Sequence, residues 1–161
     1  MKSNILYIVI DSLRADKIFG VEKTSITPNI DNFIKNNVTF TNSFSCSDGT
    51  LSSMTSMFTS KFFFRTGVNI KNNYSLDEKT KNFVSELKIQ GYNTIGLVPK
   101  ISYLEQITKD FQNVDKTYDY YQNLSNGLGD KIIKKIKSFK NEPWFYYIHI
   151  NDLHLPNWPS K

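Results

Sequence analysis

Asn4-Ile-Leu-Tyr-Ile-Val-Ile10, followed at once by Asp11, is the stretch of sequence that decides the fold. It is a continuous apolar run rich in β-branched residues, which is typical of a strand buried on both faces of a parallel sheet. Open α/β sheets bind their ligands at the carboxyl ends of the strands. The run therefore predicts an α/β fold in which Asp11 lies at the functional edge of the sheet.

Helical and strand patterns alternate over the rest of the chain. Strands are predicted from two apolar, β-rich runs and one alternating run, at residues 94–98, 144–150 and 38–44. Helices are predicted after Thr27-Pro28, from Thr50, over residues 77–90 with Gly91 as the terminator, and over residues 131–140. Residues 102–126, rich in Tyr and Asn, are interpreted as mostly loop. This order favours a mainly parallel sheet flanked by helices.

The composition is that of one ordinary globular domain. The chain has 161 residues, 39% of them hydrophobic, without an internal repeat or a low-complexity linker, so we expect one domain over residues 1–161. Its one cysteine, Cys46, excludes an internal disulfide framework. The net charge of +5 favours anionic partners. The basic residues at 131–140 indicate the solvated face of an amphipathic helix or an anion-binding surface, and we expect no nucleic-acid partner.

The sequence also bears on where the protein is located. No stretch approaches the roughly 20 apolar residues that a membrane-spanning helix needs, so no membrane span is expected. The apolar run at residues 5–10 is too short for a signal peptide, and Asp11 follows it in place of a small-residue cleavage site. The expected location is therefore the cytoplasm.

Two residues at the predicted ends of a strand and a helix are candidates for metal binding or catalysis. Asp11 is a candidate ligand for a hard metal ion, and the alternative is that it caps the following turn. Thr50 follows Gly49 at the start of a helix, where backbone N–H groups attract anions, so its hydroxyl is a candidate nucleophile towards a phosphate or sulfate centre. The alternative is that Thr50 or Ser47 simply caps the helix.

A third feature directly follows the run at residues 144–150. His149, Asp152 and His154 are expected at the carboxyl end of that strand, placed to bind a metal or to protonate a leaving group. The alternative is structural, with His149 as a hydrogen-bonded core residue and His154 in a surface loop.

The order of the motifs resembles that of the sulfatase family in the alkaline phosphatase superfamily. The resemblance runs from residue 4 to residue 159 and is carried by Asn4-to-Asp11, Thr27-Pro-Asn-Ile-Asp31, Val38-Thr-Phe40 with Asn42, residues 50–60 with Arg65-Thr-Gly-Val68, Gly91-Tyr-Asn-Thr94 and Asp152-Leu-His154-Leu-Pro156. Each motif alone is weak, and their shared order makes the resemblance specific. It implies an alkaline-phosphatase-like fold, of which this chain is the N-terminal portion, incomplete at the C-terminus.

The resemblance also implies roles for individual residues. Asp11 aligns with the family's metal-binding Asp. In the family, the nucleophile precedes the glycine of a Leu-Thr-Gly motif by ten positions. Ser60 stands in place of that glycine, and 60 minus 10 is 50, so Thr50 aligns with the nucleophile. Cys46 lacks the Pro and Arg that follow a formylglycine precursor and is interpreted as a packing residue. Thr50-Leu-Ser-Ser instead resembles unmodified members, including phosphoglycerol and phosphoethanolamine transferases. His154 is expected to contact the substrate or assist the leaving group.

The chain departs from the family pattern at several positions. Ser12 stands in place of the second Asp of the strand-end pair, and Met54 in place of the Arg that supports the nucleophile. Lys100 lies one residue out of register with the family's active-site Lys, and it is kept with His149 and Asp152 as a candidate substrate ligand. The family's remaining metal ligands belong to a Ser-Asp-His-Gly segment that this sequence does not contain. A second chain that supplies them is therefore a candidate partner.

The leading hypothesis is metal-dependent cleavage or transfer of a sulfate or phosphate ester. A divalent cation (calcium, manganese or zinc), held partly by Asp11 and Thr50, activates the Thr50 hydroxyl for in-line attack. Threonine in place of formylglycine favours phosphorus chemistry, because a phosphothreonine can be hydrolysed or transferred. Two alternatives stay open: a truncated fragment or subunit that is inactive alone, and an anion-binding module that uses the basic helix.

Overall fold

A parallel sheet forms the centre of the computed structural model, which describes residues 2–154 except 70, 72–73, 78, 120–121 and 141–142. Within these residues the sheet has four strands, β1 (Ile5–Ile10), β2 (Asn93–Pro99), β3 (Asn113–Tyr118) and β4 (Trp144–Ile150). Their spatial order is β1-β4-β2-β3, and all neighbours are parallel. The predicted α/β architecture with a parallel sheet is confirmed.

Helices pack on both faces of this sheet. The helices that do so are α2 (Thr50–Thr59), α3 (Phe83–Ile89), α4 (Ser102–Ile107) and α5 (Gly129–Ser138), whereas α1 (Pro28–Asn36) buries none of its residues. Side chains of α2, α3 and α4 share one core with Phe145 and Tyr147 of β4, and α5 shares the other with Tyr146 and Ile148. The two faces alternate because successive residues of a strand point to opposite sides. Among the described helices, none is both long and apolar enough to cross a bilayer.

The register between β1 and β4 brings two distant parts of the chain together. Val9 lies opposite His149 and Ile10 opposite Ile150, so the carboxyl ends of the two strands meet. The backbone N–H of Asp11 continues the ladder and donates to the carbonyl of Ile150 at 2.8 Å. The predicted position of Asp11 at the carboxyl edge of the sheet is confirmed.

The first strand is less enclosed than its apolar sequence predicts. Leu6 is 43% and Ile8 47% exposed, so burial on both faces is wrong for β1 in the part of the chain described. The reason is its position at the edge of the sheet, since the core under α5 is built on β2 and β4.

Two other predicted segments differ from the structure. Residues 38–44 form no strand, and Val38, Phe40 and Phe44 are largely exposed, because no described strand lies beside them to complete a ladder. Residues 102–126, expected to be mostly loop, contain α4 and β3, which take up twelve of their twenty-five positions. The sequence of β3 is polar because it is an edge strand with several solvent-facing side chains, which weakens its strand pattern.

The third helix has the predicted end and a different start. It begins only at Phe83, after Asn82, whose side chain accepts from the backbone N–H of Ser85 at 2.9 Å. At the other end Gly91 has a φ of +80°, and the N–H of Tyr92 donates across it to the carbonyl of Leu87 at 3.0 Å. This left-handed turn confirms Gly91 as the terminator.

Candidate active site

Asp11 is held rigidly at the end of β1. Its backbone extends the ladder with β4, and the next residue, Ser12, has a φ of +59°, which turns the chain sharply away from the sheet. A left-handed backbone at a residue other than glycine is uncommon and is kept only where the surroundings enforce it. The carboxylate of Asp11 therefore points from a fixed position at the sheet edge.

Thr50 reaches this carboxylate from the start of α2. Gly49, not Thr50, is the residue that precedes the helix, and no side chain caps the helix by a hydrogen bond from that position. The Thr50 hydroxyl instead donates to Asp11 Oδ2 at 3.0 Å. The capping alternative for Thr50 is therefore wrong, and its hydroxyl is joined to Asp11.

His149 approaches the same oxygen from β4. Its side chain is 0% exposed, and its Nε2 lies 3.2 Å from Asp11 Oδ2. The other ring nitrogen, Nδ1, lies 2.7 Å from the hydroxyl of Tyr147. Asp11 Oδ2 is thus shared by Thr50 and His149, whereas the turn that Asp11 was alternatively expected to cap contributes a long contact of 3.5 Å, from the Ser12 hydroxyl to Oδ1.

These contacts lower the pKa of Asp11. Partial burial by itself would raise that pKa, but the hydrogen bonds from His149 and Thr50 and the electrostatic influence of His149 and His154 outweigh it. The carboxylate is therefore ionised at neutral pH and accepts the Thr50 hydroxyl as a charged hydrogen-bond acceptor.

A cavity of about 350 Å³ opens in front of this cluster. Its polar lining includes Asp11, Thr50, Ser45, Ser47 and Asp48. Ser45 and Asp48 were not predicted from the sequence, and Ser47 was predicted only as a possible helix cap. Asp48 lies two positions before Thr50, so its position beside the candidate nucleophile was the signal available in the sequence.

The remaining candidate residues are not all brought to this cavity. Lys100 follows β2 at the same edge of the sheet, but it is exposed and is not among the described residues that line the cavity. Asp152 Oδ2 accepts from the backbone N–H of Leu124 at 2.8 Å, and Asp152 lines a separate cavity of about 440 Å³. His154 is half-buried and contributes to the low pKa of Asp11. Pro156, the end of the same motif, lies outside the described residues.

Met54 supports the site by packing. It lies one turn after Thr50 on α2, is 2% exposed, and shares the core beneath the helix with Phe58. Its sulfur lies 3.9 Å from the Tyr147 hydroxyl. The position at which the family has an Arg thus holds an apolar side chain, which fixes α2 against β4.

The donors present do not by themselves close a metal site. Asp11 and Thr50 offer oxygen atoms, and a second carboxylate, Asp48, lines the same cavity. No group of three or more His, Cys, Asp or Glu side chains among the residues that the structure describes could hold a metal ion. Calcium takes six to eight oxygen ligands, and zinc takes three or four protein ligands.

The basic residues of α5 lie away from this cavity. α5 packs on the opposite face of the sheet from α2. Lys134 and Lys137 are exposed, and Lys131 pairs with Asp115 at 3.0 Å. The helix therefore has the predicted amphipathic character, with its lysines in solvent.

Comparison with known proteins gives two findings. The family model described as Sulfatase matches residues 3–161, whereas no curated protein matches the chain. The solved structure of BT4656 in complex with its substrate D-glucosamine-2-N,6-O-disulfate is similar, with a TM-score of 0.78 and 17% identity, over 99% of this chain and 36% of that one. The chain thus spans about a third of the length of that protein and shares its fold. Because the family model covers nearly the whole sequence, the chain belongs to the sulfatase family.

Proposed function

We propose that this chain is the N-terminal, nucleophile-bearing part of a single sulfatase-like domain that cleaves or transfers a sulfate or phosphate ester. The observation that carries the proposal is the 3.0 Å hydrogen bond from the Thr50 hydroxyl to Asp11 Oδ2, at the mouth of a cavity of about 350 Å³. Thr50 is the first residue of α2, and the free backbone N–H groups of a helix start favour an anionic ester.

In this mechanism Thr50 attacks and Asp11 receives its proton. Attack by Oγ1 forms an oxygen–phosphorus bond and breaks the bond from phosphorus to the alcohol oxygen, while the hydroxyl proton passes to Asp11 Oδ2. The departing alkoxide takes a proton from His154, whose charge already acts on Asp11. Water or an acceptor alcohol then attacks phosphorus and breaks its bond to Oγ1: Asp11 returns its proton to Oγ1, and the attacking hydroxyl gives its proton to His154.

Phosphate is the ester we favour. A threonine ester of phosphate can be hydrolysed or transferred, so an unmodified hydroxyl suffices. The structure of BT4656 was solved with a disulfated glucosamine as its substrate, so sulfate esters of sugars are the substrates to test beside phosphate esters. Lys100 and Asp152 stay candidate ligands for the alcohol part of the substrate.

Sulfatase-family enzymes typically use a divalent metal. Asp11 and Thr50 are the residues of this chain that we expect to contact it. Since the described residues contain no cluster of three candidate ligands, we expect a longer chain or a second chain to supply further ligands. The identity of the ion, whether calcium, manganese or zinc, depends on those ligands.

The experiment compares two threonine-to-valine variants of the same helix. Thr50→Val removes the proposed nucleophile with little change of shape, and turnover of aryl phosphate, phosphodiester or sulfate esters is expected to fall by about 10³-fold or more. Thr55→Val is the control, because the buried Thr55 hydroxyl has no hydrogen-bond partner and its loss costs little. Mass spectrometry of the trapped intermediate is expected to find the adduct on Thr50. Undiminished turnover in Thr50→Val contradicts the proposal.

The alternative of a fragment or subunit that is inactive alone is favoured by the edge of the sheet. Leu6 and Ile8 of β1 are about half exposed, as expected of a face that further protein covers. The intact mass of the natural protein separates the cases when it is compared with 18.7 kDa. A larger protein with activity that the isolated 161 residues lack favours this alternative, whereas turnover by the isolated chain contradicts it.

A further inference from the structure

His149 is enclosed between two partners. The ring is 0% exposed, and both of its nitrogens are engaged, Nδ1 by the Tyr147 hydroxyl at 2.7 Å and Nε2 by Asp11 Oδ2 at 3.2 Å. A ring closed in this way has no nitrogen to offer a substrate. The contacts of the ring therefore favour an indirect role, in which His149 acts on the reaction by orienting Asp11.

The position of each proton follows from the chemistry of the partners. Burial raises the pKa of Tyr147 well above its usual value, so its hydroxyl keeps its proton. Within the described part of the chain, the two acceptors near that hydroxyl are His149 Nδ1 at 2.7 Å and Met54 Sδ at 3.9 Å. A thioether is a weak acceptor, so the proton is donated to Nδ1. Nε2 then carries the hydrogen of the ring and donates it to Asp11.

We propose that Tyr147 and His149 are positioning residues: Tyr147 selects the tautomer of His149, and His149 then holds the Asp11 carboxylate in the orientation that accepts the Thr50 hydroxyl. Among the residues that the structure describes, Oδ2 is held by two donors, from β4 and from α2, while Oδ1 has only a long contact of 3.5 Å with the Ser12 hydroxyl. The carboxylate is thus oriented with one oxygen fixed and the other available in the cavity. Its consequence for turnover rests on the proposed function.

Packing alone does not account for these two side chains. Tyr147 lies in an aromatic cluster with Phe58 and Phe111, at centroid distances of 5.3 and 5.9 Å, in which a phenylalanine ring would fill the same space. A buried imidazole costs free energy unless its nitrogens are hydrogen-bonded. Tyr147 and His149 lie two residues apart on one face of β4, which is the spacing that brings the hydroxyl to the ring.

The tautomer tests the first half of the proposal. The chain has two histidines, so a His154→Asn variant assigns the ¹⁵N imidazole signals of His149. We expect a protonated Nε2 and an unprotonated Nδ1 in the natural sequence. Tyr147→Phe is expected to abolish that preference, whereas Tyr7→Phe, the same change in a ring 6.0 Å away, leaves it intact. A proton on Nδ1, or no change in Tyr147→Phe, overturns the proposal.

The orientation of Asp11 tests the second half. Three-bond couplings are expected to give one χ1 rotamer for Asp11 in the natural sequence and in His149→Gln, whose side-chain N–H replaces Nε2–H. In His149→Leu the rotamers are expected to average, and kcat on the aryl esters to fall about 10–100-fold while KM changes less than about twofold. A single Asp11 rotamer in a folded His149→Leu overturns the inference, and so does unchanged kcat.

The outcomes separate this inference from the proposed function. If no ester is turned over by the natural protein, the proposed function fails, and the tautomer and rotamer measurements still decide the positioning of Asp11. If His149→Leu does not fold, Tyr147→Phe gives the same decision from the tautomer and from kcat.

Discussion

Phe58 joins the helix that carries Thr50 to the core of the sheet. It is 1% exposed, and its ring lies 5.1 Å from Phe83, 5.3 Å from Tyr147 and 6.2 Å from Phe111. The first two pairs meet edge to face, at interplanar angles of 86° and 79°. Replacing Phe58 by leucine therefore keeps much of the buried apolar area and removes the contacts between rings.

The magnitude follows from these contacts. An edge-to-face pair contributes about 0.5–1.5 kcal/mol beyond its buried area, so two pairs contribute about 1–3 kcal/mol. Complete truncation of a buried Phe to Ala costs about 3–5 kcal/mol, which bounds the effect from above. We expect Phe58→Leu to lower the free energy of unfolding by about 2 kcal/mol. For a domain of this size that corresponds to a fall in Tm of roughly 4–8 °C.

Urea denaturation followed by circular dichroism measures this difference. The matched control is Phe64→Leu, because Phe64 is 78% exposed and is expected to cost less than about 0.5 kcal/mol. The slope of the unfolding free energy against urea has to stay constant for the midpoints to be compared. A Phe58→Leu protein as stable as the natural one, or equal losses in the two variants, refutes the packing argument.

Three further predictions concern charge, backbone and tyrosine ionisation. Burial favours the neutral form of Asp115, but hydrogen bonds from Thr117 and Lys131 outweigh it and lower its pKa. The resulting stabilisation is present above about pH 4 and is lost as the pH falls through the folded-state pKa. The free energy of unfolding of Asp115→Asn is therefore expected to fall less steeply at acid pH than that of the natural protein. Parallel curves of unfolding free energy against pH contradict this. Gly91→Ala places a side chain at a φ of +80° and is expected to lower the free energy of unfolding by about 1 kcal/mol. The cost comes from the backbone and not from a clash, because the nearest atom to the new Cβ is 3.8 Å away. An unchanged midpoint in urea denaturation contradicts this. Burial raises the pKa of both Tyr118 and Tyr146 to about 12, so these phenols are expected to ionise late in an ultraviolet titration. Tyr118→Phe is expected to lower the amplitude of that late phase by one tyrosine, and an unchanged amplitude contradicts this.

The prediction of the sheet was correct for the strands whose own sequence is apolar throughout. The apolar runs at residues 94–98 and 144–150 became β2 and β4 because strands covered on both sides are apolar throughout. The same reasoning missed β3, whose edge position leaves several of its side chains in solvent. It also failed for residues 38–44, because an alternating pattern forms a strand only where a neighbour completes its hydrogen bonds.

The candidate site divides in a similar way. Asp11 and Thr50 were predicted from their places at the end of a strand and the start of a helix, and the structure joins them at 3.0 Å. Tyr147 was missed because a tyrosine in an apolar strand does not differ from an ordinary core residue, and Asp48 was missed although it lies two positions before Thr50. His149 was predicted to bind substrate, and the structure gives its ring the intramolecular partners described above.

By itself, the sequence determined the parallel α/β architecture, the terminator at Gly91 and the places of Asp11 and Thr50, because hydrophobic period, glycine conformation and helix starts are local properties. Only the tertiary structure decided that His149 Nε2 lies 3.2 Å from Oδ2 of Asp11, which is 138 positions earlier in the chain. That contact depends on the register of β1 against β4, in which Val9 lies opposite His149. A shift by one residue would turn His149 to the other face of the sheet, and no short stretch of sequence encodes which shift is adopted.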